Sequence, residues 1–380
     1  MNRFAGGLIA ALAVTLHASM ALDRITLTRF RNHDASRLDG SAGINLLVGE
    51  NGAGKTNVLE ALSLLAPGRG LRRAGLAEMA EDGTGAFAVS AELDCGDGSE
   101  RVALGTGTTA ERPGRRLVQV NGAESSAAAL GEWLAVGWLT PAMDRLFADS
   151  GSARRRYMDR LAVALDPAHA RHAARYEAAL RERNRLLTGE TEPDSRWLDA
   201  LDEQLAEAGA RLAVGRLTVV ERLSAALGTL PAAPFARPAL AYAPGGPLKA
   251  EALIAELSLE RARHRAAQRT LCGPHRDELV VTMAGTGMPA ANCSTGEQKA
   301  MLIAITLAHA SLAAAGRPGV LLLDEVAAHL DPVRRAALFE RLREGRAQAW
   351  LTGTELAPFA EIEGEAAVWR VTNGTVERLS

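Results

Sequence analysis

The chain has 380 residues, 47% hydrophobic but only 4% aromatic, so a core of one large domain or more must be filled mostly by Leu, Ala and Val. A net charge of −2 excludes a global basic field, and any nucleic-acid surface must be a local patch. Cys95, Cys272 and Cys293 are scattered without metal-ligand spacing, which excludes a disulfide framework or a cysteine zinc site and fits reduced thiols in a cytoplasmic protein.

Residues Met1–Ala21 have the pattern of a secretory signal: Arg3, an apolar stretch Gly7–Leu16 and small residues Ala18–Ala21. Ten apolar residues are too few to span a bilayer. A second methionine, Met20, stands just before a strand pattern carried by Ile25, Leu27 and Phe30. The expectation is that synthesis begins near Met20 and that residues 1–19 are an over-extended or dispensable N-terminal extension.

Thr26–Asn32 and Ile44–Val48 read as strands, and the second runs into a glycine-rich loop and a helix at Thr56–Leu65. Phe87–Leu93, Arg101–Leu104 and Leu117–Val120 read as short strands, with a turn at Asn121-Gly122, and suit an antiparallel side sheet. The texture turns helical after Pro141. Ala153–Leu187 and Trp197–Leu227 carry apolar residues at helical spacing, each ~45 Å long at 1.5 Å per residue, with Pro193 between them. Pro231–Pro247 reads as a proline-rich linker and Glu251–Ala267 as another helix. After Leu271 the α/β texture returns. The expected organisation is thus an α/β domain in two parts, 20–140 and 271–380, interrupted by a helical arm at 141–270.

The loop Gly49-Glu50-Asn51-Gly52-Ala53-Gly54-Lys55-Thr56 matches G-x-x-x-x-G-K-[ST] in full, between a strand and a helix. Its glycines let successive N–H groups converge on phosphates, the helix adds its positive end, Lys55 reaches the β- and γ-phosphates and Thr56 offers a hydroxyl to Mg²⁺. Lys55 is one of three lysines among 43 basic residues, with Lys249 and Lys299. A lysine in so arginine-rich a chain suggests a geometric need.

Val320–Leu323 is an apolar strand ending in Asp324 and Glu325. Two acids there are costly unless they meet a cation or water. Asp324 is the natural Mg²⁺ ligand, and Glu325 the natural base for an attacking water. Ser294-Thr295-Gly296-Glu297-Gln298 precedes a helix at Lys299–Ala315, about 30 residues before Asp324. Taken alone it is a serine N-cap followed by glutamate.

In this order the segments resemble ABC-type ATPases, whose signature is usually S-G-G-Q. Thr295 replaces its first glycine, and Glu297 is an extra residue before Gln298. The resemblance implies that Ser294–Gln298 act in trans on a nucleotide held by the partner subunit, and that Asp331 lies in the loop facing that partner. The ~240 residues between Lys55 and Ser294 exceed what a transporter ATPase inserts, and Thr352 stands where such domains usually carry histidine.

The combination resembles the RecF family of bacterial recombination mediators, over almost the whole chain from Met20. Leu27–Asn32, the phosphate loop with Leu59-Glu60-Ala61, Pro67–Arg72, Ser152–Asp159, Gly273-Pro274-His275-Arg276-Asp277 and the Asp324 strand carry it. It implies an ABC/SMC-type P-loop ATPase head with an inserted short helical arm. It also implies a weak DNA-dependent ATPase in which ATP closes a head-to-tail homodimer on single-stranded or gapped DNA. RecR and RecO would be partners, RecA an indirect one, in recombinational repair, replication-fork maintenance and the SOS response; no membrane is involved. The Pro141–Leu146 segment departs from the acidic form expected there, and leaves Asp144 as a possible glutamine-loop equivalent.

Residues 151–270 hold 19 basic against 15 acidic residues. Arg154, Arg155, Arg156, Arg181, Arg183 and Arg185 are the candidate DNA contacts, which would be salt-sensitive and sequence-neutral. Each cluster reads equally well as a solvated helix face paired with glutamate. Two other readings stay open, a transporter ATPase subunit and an SMC-like clamp without RecO or RecR. The run His275-Arg276-Asp277 mimics a kinase catalytic loop, but Thr282 stands where asparagine is required and no D-F-G follows.

Overall fold

A computed structural model describes residues 21–380 except 82–83, 96–99, 191–193 and 232. The expected extension 1–19, Met20 and Pro193 lie outside the described residues. The chain begins with β1 (Leu22–Phe30), β2 (His33–Leu38), β3 (Ile44–Val48), α1 (Lys55–Ser63) and α2 (Leu76–Met79). Then come β4 (Phe87–Leu93), β5 (Val102–Thr109), β6 (Arg112–Val120), β7 (Ala123–Glu124), α3 (Leu130–Trp133) and β8 (Ala135–Leu139). Helices α4 (Gly151–Leu165), α5 (Ala168–Leu187) and α6 (Ser195–Gly228) follow, with β9 (Pro238–Ala243), α7 (Ala250–Leu259) and α8 (Arg261–Ala266). Next are β10 (Glu278–Met283), α9 (Thr295–Ala313), β11 (Gly319–Leu323) and α10 (Pro332–Glu344). The chain ends with β12 (Gln348–Gly353), β13 (Ala367–Thr372) and β14 (Thr375–Arg378).

The central sheet runs β14-β13-β3-β12-β11-β8, parallel except for β14. All five residues of β3, and all five of β11, are buried, as strands covered on both faces require. One face packs α1 and the antiparallel side sheet β2-β1-β4-β5-β6-β7, with Trp350 stacked on Trp369 beneath it. The other face packs α9, α4 and the C-terminal end of α6. A separate core joins α5, the first half of α6 and α7 around Tyr176, Leu205 and Leu253. The helical segment is therefore shared between two cores.

In the helical part and its linker, three segments differ from the expected pattern, each for a local reason. The helix expected at Ala153–Leu187 breaks at Asp166-Pro167. Proline forbids helical geometry in the residue before it, and Asp166 has ψ 104° with its carboxylate accepting from Ala168 N at 2.9 Å. The proline-rich linker contains β9, which pairs antiparallel with β10 from Pro238↔Met283 to Ala243↔Glu278. The helix expected at Glu251–Ala267 divides at Glu260 into α7 and α8.

Candidate nucleotide site

Three adjacent parallel strands, β3, β12 and β11, end side by side. Ligand crevices form outside the carboxyl ends of such strands. β3 ends in the phosphate loop, β11 in Asp324 and Glu325, and β12 between them in Thr352 and Gly353. In the loop Gly52 and Gly54 have φ of 82° and 117°. A Cβ on Gly54 would also lie 2.7 Å from His33 Nε2, so glycine is required there twice over.

Lys55 is buried, and its Nζ donates to the carbonyls of Gly49 at 2.6 Å and Glu50 at 2.8 Å. The side chain thus arches back over the loop it belongs to. Burial lowers its pKa, against the opposing pull of Glu325 and Asp324. Thr56 Oγ1 donates to Asp324 Oδ1 and lies 3.0 Å from it and 3.2 Å from Oδ2. A hydroxyl and one carboxylate suit Mg²⁺, a hard cation that keeps waters and phosphate oxygens as its other ligands. Among the described residues no group of three or more His, Cys, Asp or Glu could hold a metal alone.

Thr352 joins the two acids. It is buried, its Oγ1 donates to Asp324 Oδ1 at 2.8 Å, and it accepts from Glu325 N at 2.9 Å. Glu325 is held at φ 53°, a left-handed conformation that costs a non-glycine residue about 1 kcal/mol or more. The sequence marked Thr352 only as a departure from histidine; its place between the two loops is a property of strand order.

Three of the segments that carried the family resemblance, Leu27–Asn32, Leu59–Ala61 and Pro67–Arg72, meet around this loop. Asn32 Nδ2 donates to Ala53 O at 3.1 Å, and Asn32 Oδ1 accepts from Asn57 at 2.7 Å. Glu60, fully buried, binds Arg31 at 2.8 and 2.9 Å and Arg72 at 2.9 Å. Arg72 also donates to Asn57 at 2.7 Å and lines a cleft of about 130 Å³ with Gly52, Lys55, Thr56 and Glu325. Asn32, Asn57 and Arg72 are site residues that motif spacing alone did not single out.

Ser294 caps α9. Its Oγ accepts from Glu297 N at 3.3 Å, and Glu297 Oε2 accepts from Ser294 N at 2.8 Å. Ser294, Thr295 and Gly296 are exposed, whereas Gln298 is buried and donates to Cys293 O at 2.9 Å. The extra Glu297 is therefore the second half of a capping box. Lys299 Nζ pairs with Asp144 Oδ2 at 3.3 Å, which links the start of α9 to the turn after β8 and gives that lysine its partner. Asp331 caps α10, accepting from Arg334 N at 3.0 Å.

The six candidate DNA arginines part company. Arg183 is fully buried and binds Asp202 at 2.6 Å, Thr270 at 2.9 Å and Leu257 O at 3.3 Å, so it presents nothing to a ligand. Arg154 forks onto Glu278 at 2.6 and 2.8 Å, and Arg155 donates to Asp277 O at 2.9 Å. Both are structural ties between α4 and β10. Arg156 is exposed; Arg181 and Arg185 are exposed beside Glu177 and Glu182. The buried exceptions follow from helix register, which a run of arginines conceals.

The segment Gly273–Asp277 also acquires a role. Asp277 Oδ2 accepts from Arg216 at 2.8 Å and from Tyr242, and Oδ1 accepts from Gly245 N at 2.8 Å. Arg216 forks onto Asp159 at 2.8 Å from both nitrogens. His275 lies 2.7 Å from Tyr176 OH, and burial lowers its pKa to about 4. Through His275 and the buried Asp277 the kinase-like run forms a clasp joining α4, α5, α6 and β9, with Arg276 left exposed.

Residues 21–376 match the model of the RecF/RecN/SMC N-terminal domain. A DNA replication and repair protein RecF of Mesorhizobium japonicum is 47% identical over 376 residues, covering 94% of this chain and 98% of that protein. The chain belongs to the RecF family. The RecF of Brucella suis is 44% identical over 372 residues, 93% of this chain and 95% of its own. Among solved structures, the recombination mediator RecF–ATP superimposes with a TM-score of 0.83 at 25% identity, covering 96% of this chain and 99% of that one. An Smc head from Pyrococcus furiosus, at 0.52 and 15%, shares the fold alone. RecF membership sets aside the transporter reading, and no helix among the described residues is long and apolar enough to cross a membrane.

Proposed function

We propose that the chain binds and hydrolyses ATP at 49–56 and uses the cycle as a switch on DNA. The observation that carries this is the convergence of Lys55, Thr56, Asp324 and Glu325 at three adjacent strand ends. Backbone N–H groups of Gly49–Thr56 and the start of α1 cradle the phosphates, and Lys55 turns from the loop carbonyls to the β- and γ-oxygens. Thr56 and Asp324 would hold Mg²⁺, which would offset the charge of the phosphates. Glu325 orients the attacking water, its position set by Thr352.

The exposed helix start at Ser294, Thr295 and Gly296 meets the γ-phosphate of a second copy, with Glu297 bracing the cap and Gln298 anchoring the turn from inside. ATP therefore closes a head-to-tail homodimer and hydrolysis opens it. The closed dimer holds single-stranded or gapped DNA. It acts in the cytoplasm with RecR and RecO to load RecA in recombinational repair, fork maintenance and the SOS response, as a weak DNA-dependent ATPase. Of the candidate DNA contacts, Arg156, Arg181 and Arg185 remain exposed to meet phosphates, while Arg154 and Arg155 act by holding α4.

The test is Lys55→Ala beside wild type, in sedimentation with and without ATP and in binding to a gapped duplex. ATP-dependent dimerisation and the ATP-dependent part of DNA binding should both disappear. Equal dimerisation and DNA binding in the two proteins would remove the mechanism.

A further inference from the structure

Between the loop after α1 and the helices α4 and α5 lies a pocket of about 320 Å³ that the nucleotide chemistry does not use. Its wall is apolar, with Trp138, Leu146 and Tyr157. Four arginines, Arg69, Arg73, Arg156 and Arg160, also line it. Arg160 is the unusual one. Its guanidinium carbon lies 4.5 Å from the Trp138 ring centre and 5.1 Å from that of Tyr157. Its terminal nitrogens reach only Met143 Sδ, at 3.4 and 3.5 Å, and no carboxylate pairs with it among the described residues. Burial lowers its pKa to about 10.

The two acids that line the pocket do not answer this charge. Asp159 is committed to Arg216 and His169, and Glu177 stands 3.8 Å from Arg181. A half-buried guanidinium stacked against two rings and lacking a carboxylate gains most from one that meets it with two hydrogen bonds. The aromatic wall beside it asks for an apolar side chain. The N-terminal residues 1–20 cannot supply this, because they contain Arg3 and no carboxylate. A nucleic-acid duplex is too wide for a pocket of this volume and would touch only its rim.

We propose that this pocket docks an acidic peptide segment of a partner protein, with an apolar side chain against Trp138 and Tyr157 and a neighbouring carboxylate on Arg160. The same loop sends Arg69 and Arg73 to the pocket and Arg72 to the nucleotide cleft, so the two sites share a wall. Docking itself requires no nucleotide.

The test uses the full chain on an array of hexapeptides with two acidic residues flanking two apolar ones, each beside a twin carrying lysine for every acid. Binders are then labelled and titrated in solution. Acidic peptides should bind and lysine twins should not. Arg160→Met should weaken binding about tenfold while nucleotide binding and melting temperature hold. Arg69→Ala and Arg156→Ala, at exposed positions that do not threaten folding, should each weaken it severalfold. The proposal falls if no acidic peptide binds, or if both rim variants leave binding unchanged. It falls also if a gapped duplex displaces the peptide and Arg160→Met weakens duplex binding by the same factor, which would make the pocket a nucleic-acid contact.

Discussion

Thr352→Val isolates the residue that ties the two acids together. Valine keeps the shape and removes the hydroxyl. Asp324 then loses a hydrogen bond of 2.8 Å, and the amide of Glu325 loses its acceptor at 2.9 Å. A partly buried N–H left without a partner costs about 1–3 kcal/mol, and a bond to a charged group contributes about 1.5–3 kcal/mol. Water reaches this cleft and offsets part of both, so a stability loss of about 2 kcal/mol is expected in urea unfolding. The effect on hydrolysis should be larger than the effect on binding. Without the Thr352 bond Glu325 loses the side-chain acceptor that supports its amide at φ 53°, and its carboxylate should leave the position proposed to serve the water. The expected turnover loss is about 10- to 100-fold, equal to about 1.4–2.7 kcal/mol of barrier, with nucleotide affinity within about threefold. Thr352→Ser should restore most of the rate. Steady-state phosphate release and a fluorescent-nucleotide titration provide the two readouts. A folded valine variant that hydrolyses ATP within twofold of wild type would refute the reasoning, as would a serine variant no better than valine.

Trans action of the signature predicts complementation. Lys55→Ala and Ser294→Arg should each be inactive alone, while their mixture forms dimers with one intact composite site and regains ATPase activity; a mixture as inactive as its parts would place the whole site within one chain. Glu325→Gln should bind ATP and dimerise normally yet hydrolyse about a hundredfold more slowly, measured by single-turnover phosphate release. Arg183→Ala should cost about 2–4 kcal/mol in urea unfolding because it removes buried bonds to Asp202, Thr270 and Leu257 O while Asp202 keeps Arg261, whereas Arg181→Ala, on the surface, should stay within about 0.5 kcal/mol. His309 is buried, its Nε2 donates to Leu161 O at 2.9 Å, and burial lowers its pKa to about 4. The unfolded histidine, near 6.5, binds a proton that the folded one refuses. Its contribution is therefore fully present above about pH 6.5 and is lost as pH falls toward 4, by on the order of 3 kcal/mol. Unfolding free energies measured across that window should show this slope flattened in His309→Gln.

The candidate site was legible wherever one short segment had to do several things at once. Gly49–Thr56 needs glycine, lysine and hydroxyl at fixed spacing, and Val320–Glu325 needs an apolar strand that ends in charge; both patterns survive in one dimension. The strand at Ile44–Val48 was legible for the related reason that a doubly covered strand is apolar throughout. β2 was not. Its inward positions are His33, Ser36 and Leu38, so two of three buried side chains are polar and the alternation disappears. They are tolerated because Ser36 donates to Gly374 O at 2.8 Å and His33 lies 3.1 Å from Gly54 O, partners that only the folded chain brings near.

The arginines show the same limit with opposite consequences. A sequence in which nearly every positive charge is arginine cannot separate a phosphate contact from a structural pin by residue type. The structure separates them by what each guanidinium faces. Arg183 and Arg216 are buried with carboxylates on other elements, and Arg154 is clamped to β10. Each would be costly to bury unpaired, and each sits where helices of the arm meet one another or the strands beside α9. Arginine suits this use because its planar fork can meet Asp159 through two nitrogens and Asp277 through a third, joining three segments at one point. Lys55, a compact ammonium on a slim stem, instead reaches two carbonyls of its own loop, Gly49 O and Glu50 O. Under the proposed mechanism, a displacement of α4 on closing the Ser294 interface would therefore be carried through Arg154 to β10 and through Asp159 and Arg216 to α6.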